Sequence, residues 1–124
     1  MGALRDSYGN TASTGYTINW FAQCTSVACD AYLASPFFTT NEPIDLLTKR
    51  GCTVHLLVRL CSITPPPVLR KALQNPLVRV RYYTDRGFHA KLYIVGNVAL
   101  VGSANLTDSG LKTNREVCVV LRKD

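Results

Sequence analysis

The chain has 124 residues, which is enough for one ordinary domain with a single hydrophobic core. Hydrophobic residues make up 47% and charged residues 18%, a composition that excludes a disordered, collagen-like or coiled-coil protein. The formal net charge is +6. No apolar run approaches the roughly 18 residues of a membrane span, so we expect a globular domain that does not cross a bilayer.

The N-terminal part of the chain predicts alternating helices and strands. Residues 1–15 are rich in Gly, Ser, Thr and Asn without periodicity, and predict a poorly ordered lead-in to a single domain over 16–124. The elements expected next are a helix over 18–23, a strand over 27–34, a helix over 42–50 and a buried strand over 53–60. Asn41 is expected to cap the second helix, and Gly51 to end it.

The rest of the chain predicts one more helix and then mostly strands. Thr64 and the three prolines after it start a helix that continues to Gln74, because proline is tolerated in a first turn. The strands expected after it cover residues 77–83, 88–95, 99–105 and 115–122. This order predicts an α/β domain with a mixed sheet, parallel first and antiparallel near the end.

Positive charge is concentrated in residues 70–91. This stretch has six basic residues and one acidic residue, which is +5 of the net +6, and three aromatic residues are interleaved with them. Such a pattern suits a phosphate backbone with bases to stack on, although the solvated face of a helix and a strand edge gives the same composition. The side chains expected to contact nucleic acid are Arg79, Arg81, Arg86 and Lys112.

The cysteines and the N-terminus bear on location. Five cysteines are an odd number, and none forms a Cys-x-x-Cys pair or a zinc-like spacing with histidine. The first residues lack a basic end followed by an apolar stretch, and Asp6 breaks the myristoylation pattern. We therefore expect reduced thiols in a cytoplasmic protein.

Two short polar motifs carry the chemistry, His89-Ala-Lys91 and Gly102-Ser103-Ala-Asn105. Residues two apart on a strand point to the same face. A two-residue hairpin turn would place the two pairs on opposite faces, whereas a three-residue loop, Gly96 to Val98, faces His89 with Asn105 and Lys91 with Ser103. We therefore expect a three-residue loop and one patch of four polar side chains.

Such a patch has the parts for phosphoryl transfer. An imidazole can attack phosphorus or shuttle a proton, a fixed cation neutralises charge, and neutral donors bind the remaining oxygens. No group of Asp and Glu is spaced to hold magnesium or calcium. We expect any catalysis to run without a metal or another cofactor.

These residues resemble the HKD motif of the phospholipase D superfamily. The match extends through the last third of the chain to Gly110-Leu111, Asn114 and Glu116, whereas residues 16–83 agree only in the order of elements. The resemblance implies an α/β/α sandwich with a central mixed sheet, a phosphohistidine formed on His89, and a second histidine that protonates the leaving group. The catalytic residues it implies are His89, Lys91, Ser103, Asn105 and Glu116, the last as a support for the histidine.

Two departures from the family's motif fall in the hairpin loop. Gly96 stands where the family has an aspartate, and the stretch from there to Gly102-Ser103 is one residue shorter than usual. The aspartate supports the site rather than attacking. Its loss predicts a weaker or differently braced site rather than an inactive one, in which Asn97 substitutes in part.

The predicted function is a metal-independent phosphodiesterase of the endonuclease type that cleaves nucleic acid, with DNA favoured. The resemblance implies two histidines at one phosphate, but the chain has one motif histidine, so we expect a homodimer with the active site at its interface. His55 lies in an apolar strand and is interpreted as a core or strand-end histidine. The alternatives are a non-catalytic nucleic-acid-binding domain of the same fold and a lipid phosphodiesterase. The chain is also compatible with one domain of a larger restriction or repair enzyme.

Overall fold

A mixed β-sheet forms the centre of the protein. The computed structural model describes residues 3–8, 15–24 and 29–123. The strands are β1 (Ala3–Tyr8), β2 (Asp30–Ser35), β3 (Thr53–Arg59), β4 (Val78–Tyr83), β5 (Leu92–Val95), β6 (Val98–Gly102) and β7 (Cys118–Lys123). The helices are α1 (Tyr16–Gln23), α2 (Glu42–Lys49) and α3 (Pro66–Gln74), and a π-helical turn covers Ser109–Thr113.

The seven strands lie in the order β1-β7-β6-β5-β2-β3-β4. Strands β2, β3 and β4 are parallel and are joined by the crossover helices α2 and α3. Strands β5, β6 and β7 are antiparallel to their neighbours, and β5 also pairs antiparallel with β2. This confirms the α/β class with a mixed sheet that is parallel first and antiparallel later.

The hydrophobic core lies between the helices and one face of the sheet. Alternate residues of β3 are buried, and the ring of Phe21 on α1 packs 5.2 Å from the ring of Tyr93 on β5. Leu47 of α2 and Ala72 of α3 join the same buried cluster. The three α-helices therefore lie on one face, and no helix of the described residues covers the opposite face.

The structure corrects the expected N-terminal segment and the expected turn of the β5–β6 hairpin. Residues 3–8 form β1, an outermost strand of the sheet that pairs antiparallel with β7. The sequence had predicted a poorly ordered lead-in for this segment. Residues 1–2 and 9–14 of that segment lie outside the described residues. So do residues 25–28, which include the first two residues of the strand predicted over 27–34. The hairpin between β5 and β6 has a two-residue turn, because Val95 pairs with Val98 and Gly96 adopts φ 59°.

Element boundaries otherwise lie close to the predicted ones. Asn41 occupies the position before α2, but its side chain donates a hydrogen bond to the Val68 carbonyl at 2.9 Å and does not cap the helix. The last three strands are shorter than expected, so the polar motif residues lie beyond the strand ends rather than within the ladder.

Candidate active site

The predicted catalytic residues lie at one edge of the sheet. Strands β2, β3, β4 and β6 end at this edge, and β5 and β7 begin there. His89 and Lys91 precede β5, Ser103 and Asn105 follow β6, and Glu116 precedes β7. Ligands of open α/β sheets bind at the carboxyl ends of parallel strands, which is this edge. We call it the catalytic edge.

Loops, not strand alternation, set the directions of these side chains. The Gly102 N–H donates to the Lys91 carbonyl at 3.5 Å, and the paired ladder ends there. The four motif side chains therefore do not occupy facing positions of a ladder, since His89, Lys91, Ser103 and Asn105 lie outside the strands. The hairpin has the register that the sequence analysis rejected, yet both motifs still reach the same edge.

Ser103 is fixed by the chain that leads into β7. Its hydroxyl donates to the Glu116 carboxylate and accepts the Val117 N–H at 3.0 Å. A Cβ atom at Gly102 would lie 2.7 Å from Cys118 Cβ, so only glycine allows this close approach. In this structure Glu116 is bonded to Ser103, and its support of His89 stays a prediction.

Asn105 is positioned by two residues that the sequence analysis missed. The buried Tyr93 hydroxyl donates to the Ala104 carbonyl at 2.6 Å, and burial raises the pKa of Tyr93, which keeps that proton in place. Ser35 Oγ lies 3.4 Å from Asn105 Oδ1 and accepts the Leu106 N–H at 3.0 Å. A tyrosine inside an apolar strand was the available signal, because a buried hydroxyl needs a partner.

His89 is exposed at the mouth of a cleft. Lys91 Nζ donates to the His89 carbonyl at 3.1 Å, so the ammonium group lies beside the histidine backbone. Among the described residues, the imidazole has no hydrogen-bond partner. The cleft has a volume of about 530 Å³ and is lined by Arg59, Leu60, Cys61, Ser62, Ile63, Thr84, Arg86 and His89.

Arg59 is a second cation in this cleft that the sequence analysis missed. Its guanidinium lies 4.8 Å from the centre of the Phe37 ring, and Nη1 donates to the Arg86 carbonyl at 3.1 Å. Its Nε is buried without a hydrogen-bond partner in the described part of the chain. A charged residue that ends an apolar strand was the signal that identifies it.

The thiol of Cys61 shares the cleft and has a shifted pKa. Burial raises the pKa of this thiol, but hydrogen bonds from the backbone of Ile63, from Arg59 and from the backbone of Thr64 lower it more, so that the net shift is downward. At Cys24, in contrast, burial is the largest cause, and it raises the pKa to about 12. Cys61 therefore has more thiolate character than an ordinary cysteine.

The predicted nucleic-acid-binding residues separate into three places. Arg86 lines the cleft beside His89, whereas Arg79 and Arg81 are exposed on β4, on the sheet face opposite the helices. Lys112 lies in the π-helical turn and pairs with Glu42 at 2.7 Å, and the hydrogen bond to Glu42 raises the pKa of Lys112. The structure thus brings Arg86, but neither Arg79 nor Lys112, into the His89 cleft.

The position of the missing aspartate lies away from the catalytic edge. Gly96 is five residues beyond Lys91 along β5, about 16 Å at the rise of a strand. Asn97 donates to the Lys123 carbonyl at 3.2 Å and so fastens the turn to β7. The expectation that Asn97 substitutes within the site was wrong, because the turn is at the opposite end of the strand.

Three further findings describe the chain as a whole. Within residues 3–8, 15–24 and 29–123, no group of three or more His, Cys, Asp or Glu is arranged to hold a metal ion. No helix in the same ranges has the length and apolar character to cross a membrane. All five cysteines are free thiols.

The sheet and its connections are those of a phospholipase D-like domain. The family model described as "Cardiolipin synthase, PLD-like domain" matches residues 24–124. The chain belongs to this family, whose superfamily fold is that of phosphodiesterases. A comparison with curated protein sequences gave no match.

Solved structures with this fold include three that illustrate the range of similarity. Nuc, a phospholipase D family member from Salmonella typhimurium, has a TM-score of 0.76 and 17% identity over 98% of this chain and 84% of that chain. NucT from Helicobacter pylori has a TM-score of 0.73 and 13% identity over 98% and 87%. A variant of yeast tyrosyl-DNA phosphodiesterase 1 has a TM-score of 0.59 and 17% identity over 97% and 32%. At these identities the similarity shows the fold.

Proposed function

We propose that this chain is a metal-independent phosphodiesterase that cleaves nucleic acid, with DNA as the favoured substrate. The observation that carries the proposal is the gathering of His89, Lys91, Ser103, Asn105 and Glu116 at one sheet edge. Arg59 and Arg86 add positive charge in the cleft that His89 lines. The similarity in fold to a tyrosyl-DNA phosphodiesterase is consistent with a phosphodiester of DNA as the substrate class.

The proposed reaction has two steps. An imidazole nitrogen of His89 attacks phosphorus, the bond from phosphorus to the leaving oxygen breaks, and a second histidine donates a proton to that oxygen. Lys91, Ser103 and Asn105 neutralise and bind the other phosphoryl oxygens. Water then attacks the phosphohistidine, the second histidine takes the water proton, and His89 is released.

The second histidine comes from a second copy of the chain in this proposal. The other histidine of the sequence, His55, lies within β3, about 13 Å along the strand from Arg59 at the catalytic edge. It is too far away to act on a phosphate bound by His89. A two-fold interface that includes the edge places two copies of His89 at one phosphate, and makes the protein a homodimer with a shared active site.

Labelled DNA in excess EDTA tests the catalytic proposal. We expect wild type to cleave, and His89→Ala and His89→Asn to lose about 10³-fold or more in rate, because the nucleophile is removed. Lys71→Ala is the matched surface control, since that lysine lies on α3 and pairs with Asp45. Cleavage that requires added magnesium would contradict the proposal.

Subunit mixing tests the shared site. In equal mixtures of wild type and His89→Ala that exchange freely, about a quarter of dimers have two histidines, so activity per wild-type subunit falls to about half. Activity that stays proportional to the wild-type subunits would show that each chain acts alone.

A second candidate function is a non-catalytic nucleic-acid-binding domain. One observation favours it: no group of the described residues holds the His89 imidazole, so nothing fixes its tautomer. The EDTA assay separates the two, because a binding domain retains labelled DNA without cutting it.

A further inference from the structure

The face of the sheet opposite the helices is uncovered in the described residues. Tyr32, His55 and Arg79 are neighbours in register on β2, β3 and β4, and their side chains lie on this face. One step closer to the catalytic edge, Leu57 and Arg81 form the next row. The face thus carries aromatic, apolar and basic side chains in rows across parallel strands.

These rows form a groove with a volume of about 470 Å³. Leu57, Ala34 and Leu92 supply its apolar lining, and Arg79 and Arg81 flank it on β4. Tyr32 and His55 stand in it with ring planes 10° apart and centroids 4.6 Å apart, and Tyr32 is still 49% exposed. We call it the sheet-face groove.

We propose that the sheet-face groove binds single-stranded nucleic acid, with a base added to the Tyr32–His55 stack and phosphates held by Arg79 and Arg81. Base stacking on exposed aromatic rings beside basic side chains is the usual physical basis of single-strand binding. Nucleic acid as the ligand follows from the proposed function, whereas the groove and its residues are separate from the catalytic edge.

The spacing of the arginines supports an extended strand. Arg79 and Arg81 are two residues apart on β4, about 6.6 Å, and both point to the same face. The next residue on that face is Tyr83, which is 52% exposed and pairs in register with Arg59 at the catalytic edge. A nucleic-acid strand along β4 therefore leads from the groove to the His89 cleft.

Charge favours this occupant over a second copy of the chain. Arg81 makes no ion pair with an acidic residue in the described ranges, and Arg79 donates to the Pro76 carbonyl at 2.7 Å. Asp30 places one carboxylate on this face, 3.5 Å from His55 Nε2, against the two arginines. A two-fold contact through this groove would therefore bring four arginines together against two carboxylates. Phosphates supply the further negative charge that Arg79 and Arg81 need.

Binding of a short fluorescein-labelled oligodeoxythymidine to the full chain tests the proposal, with His89→Ala as the background so that nothing is cleaved. We expect Tyr32→Ala to weaken binding roughly 5- to 100-fold, and Tyr32→Phe to retain it, because stacking needs the ring and not the hydroxyl. Tyr82→Ala is the matched control: that tyrosine is 61% exposed on the same sheet, on the helical face. Equal affinities of Tyr32→Ala and Tyr82→Ala would overturn the proposal.

Salt dependence tests the phosphate contacts. Arg81→Gln is expected to lower the slope of log K against log salt by about 0.7, the value for one phosphate contact on a single strand. Arg70→Gln, an exposed arginine on α3, serves as the control and leaves the slope unchanged. An unchanged slope in Arg81→Gln would place the phosphates elsewhere.

The two histidines of the chain distinguish the failure of this proposal from that of the proposed function. In a proton NMR titration of wild type at low temperature, the His55 ring signals report the groove and the His89 signals report the catalytic edge. Shifts at both histidines are expected on addition of the oligodeoxythymidine. Shifts at His89 alone would overturn the groove and leave the proposed function intact, whereas shifts at His55 with no cleavage in EDTA would do the reverse.

A wild-type dimer that Tyr32→Ala converts to monomers, without loss of affinity, would identify the face as a subunit interface and also overturn the groove.

Discussion

The catalytic edge and the sheet-face groove present their side chains in different ways. At the edge, the polar residues lie in loops just outside the strands. Ser103 is held there by Glu116 and Val117, whereas no group of the described residues holds the His89 imidazole. In the groove, each residue lies within a strand and owes its neighbours to the register between paired strands. A short motif can therefore reveal the edge, whereas the groove becomes visible only when strands far apart in sequence are aligned.

The same difference divides the basic stretch that the sequence shows as one block. Lys71 lies on α3 and pairs with Asp45 at 3.2 Å, on the helical side of the sheet. Arg79 and Arg81 point from the other face, and Arg86 lies in the cleft beside His89. Basic residues that are contiguous in sequence thus lie on three surfaces: the helical side of the sheet, the sheet-face groove and the His89 cleft. Of these three, the groove and the cleft suit a nucleic acid.

After the loss expected for the His89 variants, the largest effect separates chemistry from binding. We expect Lys91→Ala to lower kcat for cleavage by about 10²- to 10³-fold, because it removes a cation that stabilises the transition state. Tyr32→Ala is expected to act mainly on KM, since it removes binding energy away from the reacting phosphate. Steady-state kinetics on a single-stranded substrate measure both. A change in KM alone for Lys91→Ala would contradict the assignment of chemistry to the catalytic edge and of binding to the groove.

The next effect is on stability and contrasts two glycines at opposite ends of the β5–β6 hairpin. Gly102→Ala places a methyl group 2.7 Å from Cys118 Cβ, and we expect the overpacking to cost about 2–3 kcal/mol. Gly96→Ala strains a residue with φ 59° but meets its nearest atom only at 3.9 Å, and should cost about 1 kcal/mol. Urea denaturation measures both free energies of unfolding. A larger loss in Gly96→Ala would contradict the close approach at Gly102.

The sequence predicted the α/β class, the order of helices and strands, and the motif residues that lie at one edge. Two features were out of its reach for physical reasons. The turn length was misjudged because facing parity was applied to His89 and Ser103, which lie beyond the strands. The outermost strand β1 was not predicted, because its pairing depends on β7, more than a hundred residues later, and not on local periodicity.

Thiol reactivity gives a smaller effect that again contrasts the edge with the rest of the protein. The pKa of Cys61 is lowered, so that at a pH below 9 a larger fraction of this thiol is thiolate than in an ordinary cysteine. Burial raises the pKa of Cys29 to about 11, with a further rise from the hydrogen bond to Cys52. We therefore expect iodoacetamide to modify Cys61 several-fold faster than the other cysteines at pH 8. Mass spectrometry of digested protein locates the label, and preferential labelling of Cys29 would contradict this order.

The smallest expected effect concerns Gly96, one of the two departures from the phospholipase D motif that the sequence resemblance identifies. Gly96→Asp restores the family's aspartate at the turn between β5 and β6. Since the turn is about 16 Å along β5 from Lys91, the new carboxylate does not reach the catalytic edge. Aspartate tolerates a positive φ better than most residues, so we expect a loss of stability below about 1 kcal/mol and cleavage within about two-fold of wild type. Kinetics of the purified variant in EDTA check this. A large gain in cleavage would show that the edge depends on a group at the far end of the hairpin, and that the two ends are coupled through β5.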